Sequence, residues 1–358
     1  MAAPTTDSAI YRTMRRQRAD LGRLLETGWD GAWQVAERLD AAKRFFVTGI
    51  GTSYHAALVG EWLLRAAGAD AHARAIMSFD FALYQELVGL HRDDAVVVVM
   101  AHTGVKRFSG EAITLAATAG VRVVSVGSLT AEHPGSELVL RTVEREKSAA
   151  FTASHLAAMT VLAQVAIELG KRRNAPGVRE FRAALGRLPD QVAGVLARED
   201  EVLPVAREAV GRRIYAAGAG PNAATALEAV IKVREAAQGW IDALALEQFL
   251  HGPIVSVNAA DVAVLVNVPG AAAARVGEIA GVLAAIGARL WFVGHGAPAA
   301  PQSTIFSLPD VPELLSPLLT VVPIQIFAYH LAVLRGIDPD RFRRDDPTYA
   351  AAFGLLKL

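Results

Sequence analysis

Runs of consecutive apolar residues, most of them ending at a glycine, recur along the chain and are separated by stretches long enough for helices. The apolar residues in these runs are continuous rather than alternating, which is typical of parallel strands buried on both faces. Strand and helix segments that alternate in this way predict a doubly wound α/β sheet. The runs are 44–51, 94–104, 120–127, 213–220, 261–270 and 287–294.

The six runs form two sets of three with nearly the same spacing. Gly104 and Gly127 follow Gly49 by 55 and 78 residues, and the corresponding glycines of the second set follow Gly218 by 52 and 76 residues. This agreement predicts an internal duplication, with two tandem domains that each hold a doubly wound (flavodoxin-like) parallel sheet flanked by helices. The expected segments are an N-terminal helical segment (1–29), domain 1 (30–170), a helical connection (171–200), domain 2 (201–335) and a C-terminal tail (336–358).

Composition excludes several classes of function. The 36 basic and 36 acidic residues give a net charge of zero, whereas a protein that coats nucleic acid needs a basic excess or stripe. The chain has no cysteine, which excludes disulfides, thiolate zinc sites and a thiol nucleophile. No cluster of His and Asp residues indicates a metal site, so we expect neither a metal nor a cofactor.

One apolar segment is long enough to raise the question of a membrane. Residues 314–334 run for 21 positions without a charged side chain, close to the ~20 residues that span a bilayer. The segment also contains prolines, Gln325 and His330, which favour a buried core helix. The N-terminus lacks the apolar core of a secretory signal. We therefore expect a cytoplasmic protein without a membrane segment.

The loop after the first apolar run has the composition of a ligand-binding loop. It reads Gly-Ile-Gly-Thr-Ser over 49–53 and lies at the carboxyl end of a predicted strand, where ligands of open parallel sheets bind. Tyr54 stands where the dinucleotide fingerprint has its third glycine, and no acidic ribose partner ends the second strand, so a nicotinamide or flavin cofactor is disfavoured. Gly51, Thr52 and Ser53 instead predict a phosphate site at a helix N-terminus; a simple N-cap is the alternative.

Two further loops of the first half carry donors that suit the same ligand. The loop after the second run holds His102, Thr103 and Lys106, and a later hydroxyl-rich junction holds Ser148 and Thr152. In the second half, the loop that corresponds to the first of these consists largely of alanine. The donors together predict one site, in the first half, for a phosphomonoester that also carries sugar hydroxyls.

The second half offers different chemistry. Residues 224–238 predict a helix on which Glu228, Lys232 and Glu235 fall along one face. A solvated stripe of salt bridges is the plain interpretation of that face. His251 follows in a loop bounded by Gly and Pro, where a lone histidine is more often structural than catalytic.

These residues together resemble the tandem sugar isomerase (SIS) family. The likeness is to the isomerase half of glucosamine-6-phosphate synthase, and also to the fructosamine-6-phosphate deglycases and amino-sugar-phosphate deaminases, and it covers almost the whole chain. Its marks are the sequences GxGTS at 49–53, LEAVIKVRE at 227–235, EQFLHGP at 247–253 and PIQIFAYHLA at 323–332.

The resemblance implies roles for the residues of the second half. Glu235 matches the glutamate that moves a proton between C1 and C2 of the open-chain sugar, and Lys232 and Glu228 match the helix residues that flank this base. His251 matches the histidine that opens the sugar ring, which in relatives reaches the site from a partner subunit. The resemblance thus implies an enzyme with catalytic residues Glu235, His251 and Lys232, in a homodimer with a composite active site and without cofactor or metal.

Two departures from the family pattern alter what is expected of this chain. The S-x-S-G-E-T phosphate loop of the family is replaced by Ala-His-Thr-Gly-Val-Lys at 101–106. Either Lys106 holds the phosphate instead, or the ligand differs from that of the family. The glutaminase domain of the synthase, with its cysteine nucleophile, has no counterpart, so glutamine-fed amination is not expected. We expect a phosphosugar isomerase, or a deaminase or deglycase of amino-sugar 6-phosphates; the alternative is a non-catalytic regulatory protein that binds sugar phosphates.

Overall fold

The computed structural model describes residues 7–67, 72–84, 90, 95–298 and 300–355. Within these residues, two parallel sheets of five strands each form the framework. The strands are β1 (Arg44–Gly49), β2 (His72–Met77), β3 (Ala95–Met100), β4 (Arg122–Gly127), β5 (Leu138–Arg141), β6 (Ile214–Gly218), β7 (Ile241–Ala245), β8 (Val262–Asn267), β9 (Arg289–Gly294) and β10 (Thr304–Phe306).

The two sheets have the same strand order. The first sheet runs β2-β1-β3-β4-β5 and the second runs β7-β6-β8-β9-β10, and neighbouring strands are parallel throughout. This is the flavodoxin-like order of doubly wound sheets, so the predicted α/β class is confirmed. In each sheet the connections reverse direction at one place, which gives a switch point between β1 and β3 and another between β6 and β8.

Helices connect the strands and precede the first sheet. α7 lies within the predicted helical connection 171–200 and contains Pro189. The helices are α1 (Ala9–Thr27), α2 (Trp29–Asp40), α3 (Thr52–Ala67), α4 (Ser78–Leu83), α5 (Arg107–Thr118), α6 (Ala153–Arg172), α7 (Val178–Ala197), α8 (Leu203–Ala209), α9 (Ala223–Ala237), α10 (Leu246–Leu250), α11 (Ala273–Ile286), α12 (Pro317–Leu334) and α13 (Pro347–Phe353).

Two edge strands of the second sheet have no counterpart among the predicted apolar runs. β7 reads Ile-Asp-Ala-Leu-Ala, and its first three positions alternate between buried and exposed. β10 has three residues, of which two are exposed. An edge strand has one neighbour and is partly solvated, so it does not need the continuous apolar run of a central parallel strand.

The chain divides into two compact units that exchange short segments. The predicted division into continuous domains stays a prediction, and its ends at 1–6 and 356–358 lie outside the described residues. The N-terminal unit, which holds the first sheet, consists of described residues within 16–146, 153–189 and 343–358. The C-terminal unit, which holds the second sheet, consists of described residues within 1–15, 147–152 and 190–342.

The first strand of each sheet ends at a glycine that the next helix requires. A Cβ atom on Gly49 would lie 2.6 Å from the carbonyl carbon of Ser53, and a Cβ atom on Gly218 would lie 2.2 Å from the carbonyl oxygen of Asn222. Both contacts are with the residue four positions later, so the two strand–helix junctions have the same geometry. Aligning these glycines therefore pairs α3 from Tyr54 onwards with α9, which begins at Ala223.

Among the described residues, two helices are long and apolar enough to cross a membrane. They are α6 and α12, and 94% and 89% of their most apolar windows are buried within the protein. A helix that is apolar on all sides belongs either to a membrane or to the core of a large fold, and burial to this extent is typical of a core helix. α12 lies where the core helix was predicted over 314–334.

Candidate active site

Three charged side chains lie in a row on α9. Lys232 Nζ is 3.2 Å from Glu228 Oε1 and 3.1 Å from Glu235 Oε2. The side chains of Glu228 and Lys232 are fully buried, whereas that of Glu235 is 26% exposed. The interpretation of this face as a solvated stripe is therefore wrong, because Glu228 and Lys232 are buried in the core and only the Glu235 carboxylate is accessible. We call these three residues the α9 triad.

The charge state of Lys232 follows from its neighbours. Burial alone would lower the pKa of Lys232, but the charges of Glu228 and Glu235 outweigh burial and raise that pKa above its ordinary value. Lys232 is therefore an ammonium ion at neutral pH, within hydrogen-bond distance of both carboxylates. An ammonium ion at 3.1 Å favours the ionised form of Glu235, which is the form that accepts a proton.

The equivalent face of α3 carries no charges at the positions of Glu228 and Lys232. When the two junction glycines are aligned, Val59 and Leu63 of α3 correspond to Glu228 and Lys232 of α9. Val59 and Leu63 are 0% and 1% exposed, so the same helical positions are buried in both halves, apolar in one and ionic in the other. A buried ion pair is generally no more stabilising than apolar packing, so stability alone does not account for the pair on α9.

His251 lies at the end of α10 and has its own partners. Its Nε2 atom is 3.0 Å from Glu247 Oε1, and its side chain is 70% exposed. Arg275 binds the same carboxylate at 2.7 Å, and hydrogen bonds from Arg275 and His251 lower the pKa of Glu247 to about 2. In the described part of this chain, His251 is therefore held by Glu247 and exposed to solvent rather than bonded to Glu235.

In the N-terminal unit, the Gly-x-Gly loop ends in a left-handed turn at the start of α3. Gly51 has a φ of +59°, a conformation that favours glycine, and its carbonyl oxygen accepts the N–H groups of Tyr54 and His55. α3 begins at Thr52, so the N-cap position falls on Gly51. Thr52 and Ser53 belong to the first turn of α3 and place two hydroxyl groups near its N-terminal N–H groups, at the switch point of the first sheet.

The loop after β3 presents two predicted ligands of different accessibility. Lys106 is exposed and immediately precedes α5, whereas His102 is half-buried and its Nε2 atom accepts the N–H of Glu146 at 3.4 Å. Burial, together with the charges of Arg145 and Arg16, lowers the pKa of His102 to about 4. The imidazole is therefore neutral at physiological pH, and Lys106 supplies the cation of this loop.

The hydroxyl residues of the later junction, Ser148 and Thr152, lie in a different unit from the other predicted phosphate ligands. Ser148 and Thr152 are buried and belong to a segment that the C-terminal unit includes. Ser148 Oγ accepts the N–H of Ala150 at 3.2 Å, and the carbonyl oxygen of Thr152 accepts a hydrogen bond from Gln325 Nε2 at 3.4 Å. The structure thus groups these two with the unit of α9, and Thr103 with the loops of the first sheet.

Glu146 is a polar residue that sequence analysis passed over. Its side chain is 6% exposed, and its carboxylate accepts the N–H of Ser154 at 2.6 Å in the first turn of α6. A negative charge at a helix N-terminus is favourable, so this anion stabilises the start of α6. The sequence signal, an acidic residue shortly before a long helix, is too common to single it out.

One cavity of the C-terminal unit lies away from these residues. It has a volume of about 450 Å³ and is lined by Gly287, Arg289, Gln302 and their neighbours. Arg289 begins β9, so the cavity is at the amino end of that strand. Ligands of open parallel sheets bind at the carboxyl ends, and the cavity is not part of the candidate site.

Comparison with known proteins agrees with this architecture. No protein-family model matches the chain. The glutamine–fructose-6-phosphate aminotransferase (isomerizing) of Pyrococcus horikoshii is 31% identical over 316 residues, which are 87% of this chain and 52% of that protein. The chain therefore spans about half the length of the curated relatives that it matches.

Solved structures show the same fold at lower sequence identity. The C-terminal domain of glucosamine-fructose-6-phosphate aminotransferase from Francisella tularensis superposes with a TM-score of 0.84 at 16% identity, over 95% of this chain and 99% of that one. Glucosamine-6-phosphate deaminase from Thermotoga maritima superposes with a TM-score of 0.73 at 20% identity, over 93% of this chain and 97% of that one.

The two parallel sheets share one strand order, which defines a doubly wound α/β protein with a switch point in each sheet. The α9 triad adds an accessible carboxylate that is held by a buried ammonium ion. Together with its relatives, these features show that the chain belongs to the sugar isomerase (SIS) family.

Proposed function

We propose that this chain is a cytoplasmic, homodimeric tandem SIS enzyme that moves a proton between C1 and C2 of a sugar 6-phosphate or amino-sugar 6-phosphate. The reaction is aldose–ketose isomerisation, or the deaminating or deglycating variant of the same proton transfer. The observation that carries the proposal is the α9 triad, in which a fully buried ion pair supports one carboxylate that is 26% exposed. The similarity to sugar-phosphate aminotransferases and a deaminase supports the substrate class.

In this mechanism, Glu235 is the base. Abstraction of a proton next to a carbonyl group needs a base within hydrogen-bond reach of the reacting carbon, and Glu235 is the member of the triad that a ligand can contact. Lys232 is a positioning residue, since its ammonium group bonds the Glu235 carboxylate. Glu228 in turn holds Lys232 from the buried side.

Donors in the loops of the first sheet would anchor the phosphate of the substrate, and His251 would open the sugar ring. Gly51 and Thr52 would offer backbone N–H groups, and Thr52 and Ser53 would offer hydroxyl groups, at the start of α3. With the exposed cation of Lys106, these donors suit a phosphate group. His251 would act as ring-opening acid or base in the active site of the partner subunit. Its exposure and its tether to Glu247 support this role, because an imidazole that works in another subunit must project from its own.

The test measures proton exchange with candidate substrates in D₂O. Hexose 6-phosphates, their 2-amino derivatives and fructosamine 6-phosphates are screened by thermal shift, and each ligand that binds is followed by NMR. The wild-type protein should introduce deuterium at C1 or C2, and release of ammonia or of an amine would separate a deaminase or deglycase from an isomerase. Stabilisation by a ligand without exchange would instead favour the non-catalytic regulatory protein.

Two variants separate the base from the phosphate ligand. Glu235→Gln should reduce kcat by about 10²–10⁴-fold, the contribution of general acid–base catalysis, while the affinity for the sugar phosphate changes little. Lys106→Ala should weaken binding by about 10–100-fold, the value of a charge-assisted hydrogen bond. Glu208→Gln is the matched control, since Glu208 is an exposed carboxylate of the same unit that pairs with Arg289. Full turnover in Glu235→Gln would refute the assigned mechanism.

A further inference from the structure

The second sheet has a crevice at the position where the first sheet has its predicted phosphate site. β6 and β8 are neighbours at the switch point of the second sheet, as β1 and β3 are in the first. The loop after β6 repeats the Gly-x-Gly turn, with a φ of +53° at Gly220 against +59° at Gly51. A ligand site is expected between the loops that follow these strands. We call the space between the loops after β6 and β8 the second crevice, and the equivalent space between the loops after β1 and β3 the first crevice.

The carboxylate of Glu313 occupies this crevice. A Cβ atom on Gly270, in the loop after β8, would lie 2.3 Å from the carboxyl carbon of Glu313, so the carboxylate lies directly against the Gly270 backbone. The N–H of Ala271 donates to Glu313 Oε2 at 3.3 Å. A Cβ atom on Gly220 would lie 3.9 Å from Glu313 Oε1. The Glu313 carboxylate therefore contacts the loop after β8 and lies near the Gly-x-Gly turn after β6.

The backbone of Glu313 is fixed to the same junction. The Ser316 hydroxyl donates to the carbonyl oxygen of Glu313 at 2.6 Å and accepts a hydrogen bond from Asn222 Nδ2 at 2.7 Å. Asn222 immediately precedes α9, and its Oδ1 atom accepts a hydrogen bond from Thr320 Oγ1 at 2.9 Å. The segment that supplies the carboxylate is thus anchored at the strand–helix junction that it covers.

The surrounding residues of the second crevice differ from those of the first. The Gly-x-Gly turn of the first sheet is followed by Thr52 and Ser53, and its neighbouring loop ends in Lys106. The corresponding turn of the second sheet is followed by Pro221 and Asn222, and its neighbouring loop continues as alanines. The second crevice therefore keeps backbone donors but has Ala272 at the position equivalent to Lys106, and the Glu313 carboxylate uses one of these donors.

We infer that Glu313 is the resident anion of the second switch point and that it closes this crevice to phosphate. Its carboxylate takes the place of a phosphomonoester, and its negative charge repels one. Each chain then binds a single phosphosugar, although the fold contains two equivalent crevices. The inference depends on the proposed function only in assigning a phosphate site to the first crevice.

The experiment counts phosphate sites in the full-length protein. Inorganic phosphate is titrated calorimetrically into the wild type, into Glu313→Ala and into the control Glu208→Ala, which removes an exposed carboxylate of the same unit. The wild type and the control should bind one phosphate per chain, and Glu313→Ala should bind two. Glu313→Ser, which keeps a small polar residue at the start of its turn, should also bind two.

Thermal unfolding extends the test to variants of low stability. A ligand at ten times its dissociation constant should raise Tm by about 3 °C per site, so phosphate should stabilise both Glu313 variants more than the wild type. Equal phosphate counts and equal Tm increases in the wild type and both variants would overturn the inference.

A combined variant separates this result from the proposed function. Ser53→Ala with Lys106→Ala removes donors of the first crevice, and adding Glu313→Ala to these changes should leave one phosphate per chain. A wild type that binds no phosphate would refute the phosphosugar proposal, whereas the change caused by Glu313→Ala would still decide the present inference.

Discussion

The buried ion pair of α9 can be replaced by the residues that the same protein uses at the equivalent positions of α3. The change is Glu228→Val with Lys232→Leu, made singly and together. Lys232 Nζ lies 3.2 Å from Glu228 Oε1, and both side chains are fully buried. At an effective dielectric constant of about 20, two charges at this distance attract by about 5 kcal/mol, while each charge has also lost its hydration.

The magnitudes follow from what each variant leaves behind. Lys232→Leu leaves the carboxylate of Glu228 in the core without its ammonium partner, which lowers the free energy of unfolding by about 3–5 kcal/mol. The double variant removes both charges and restores an apolar face of the kind that Val59 and Leu63 form in α3. Because apolar replacement of a whole buried ion pair is often neutral or stabilising, the double variant should lie within about 2 kcal/mol of the wild type.

The assay is urea unfolding of the four proteins, followed by circular dichroism and analysed as a double-mutant cycle. The double variant should be more stable than Lys232→Leu alone and should have lost turnover, because Glu235 loses the ammonium ion that holds it. Additive losses, with the double variant destabilised by the sum of the single changes, would refute the argument that the fold does not need these charges.

Two further predictions concern stability. His102 has a pKa of about 4 in the folded protein against 6.5 for a free histidine, so the unfolded chain binds a proton between these values that the folded protein does not. Stability should therefore fall as the pH is lowered from about 6.5 to about 4, by up to about 3 kcal/mol, and His102→Gln should flatten this dependence in urea unfolding at pH 4.5 and pH 7.5. Gly218→Ala should destabilise by about 3 kcal/mol or more because its Cβ would lie 2.2 Å from the carbonyl oxygen of Asn222. Gly186→Ala in α7, where a Cβ meets nothing within 4 Å, should instead stabilise by about 0.5–1 kcal/mol; equal Tm changes in these two glycine variants would contradict the reasoning.

The sequence was sufficient for the features that depend on hydrophobic pattern. Central strands of a parallel sheet are buried on both faces, so β3 and β8 stand out as continuous apolar runs, and the glycines that end the first strands mark the duplication. The edge strands β7 and β10 lack this pattern, because a strand with a single neighbour can be short and half-polar.

The candidate site was only partly accessible to sequence reasoning. The i, i+4 and i+7 spacing placed Glu228, Lys232 and Glu235 on one face of a helix, but spacing alone does not distinguish a buried face from a solvated one. That distinction depends on the packing of α9 against α12, which is a tertiary contact. Glu313 was missed for the same reason, since 43 residues separate it from the glycine that it covers.

The two halves of the chain differ in complementary ways. In the first half, the helix after the Gly-x-Gly turn has an apolar buried face, and the loops of the switch point carry hydroxyl groups and Lys106. In the second half, the equivalent helix carries the buried ion pair, and Glu313 fills the equivalent crevice. A sugar 6-phosphate needs an anchor for its phosphate and a base at C1 and C2, and several carbon–carbon bonds separate these groups. An anionic base repels a phosphate that lies close to it, so keeping the base and the phosphate donors on different loops favours binding. Under the proposed function, the duplication provides two copies of one scaffold, and each copy keeps the polar feature that the other has replaced.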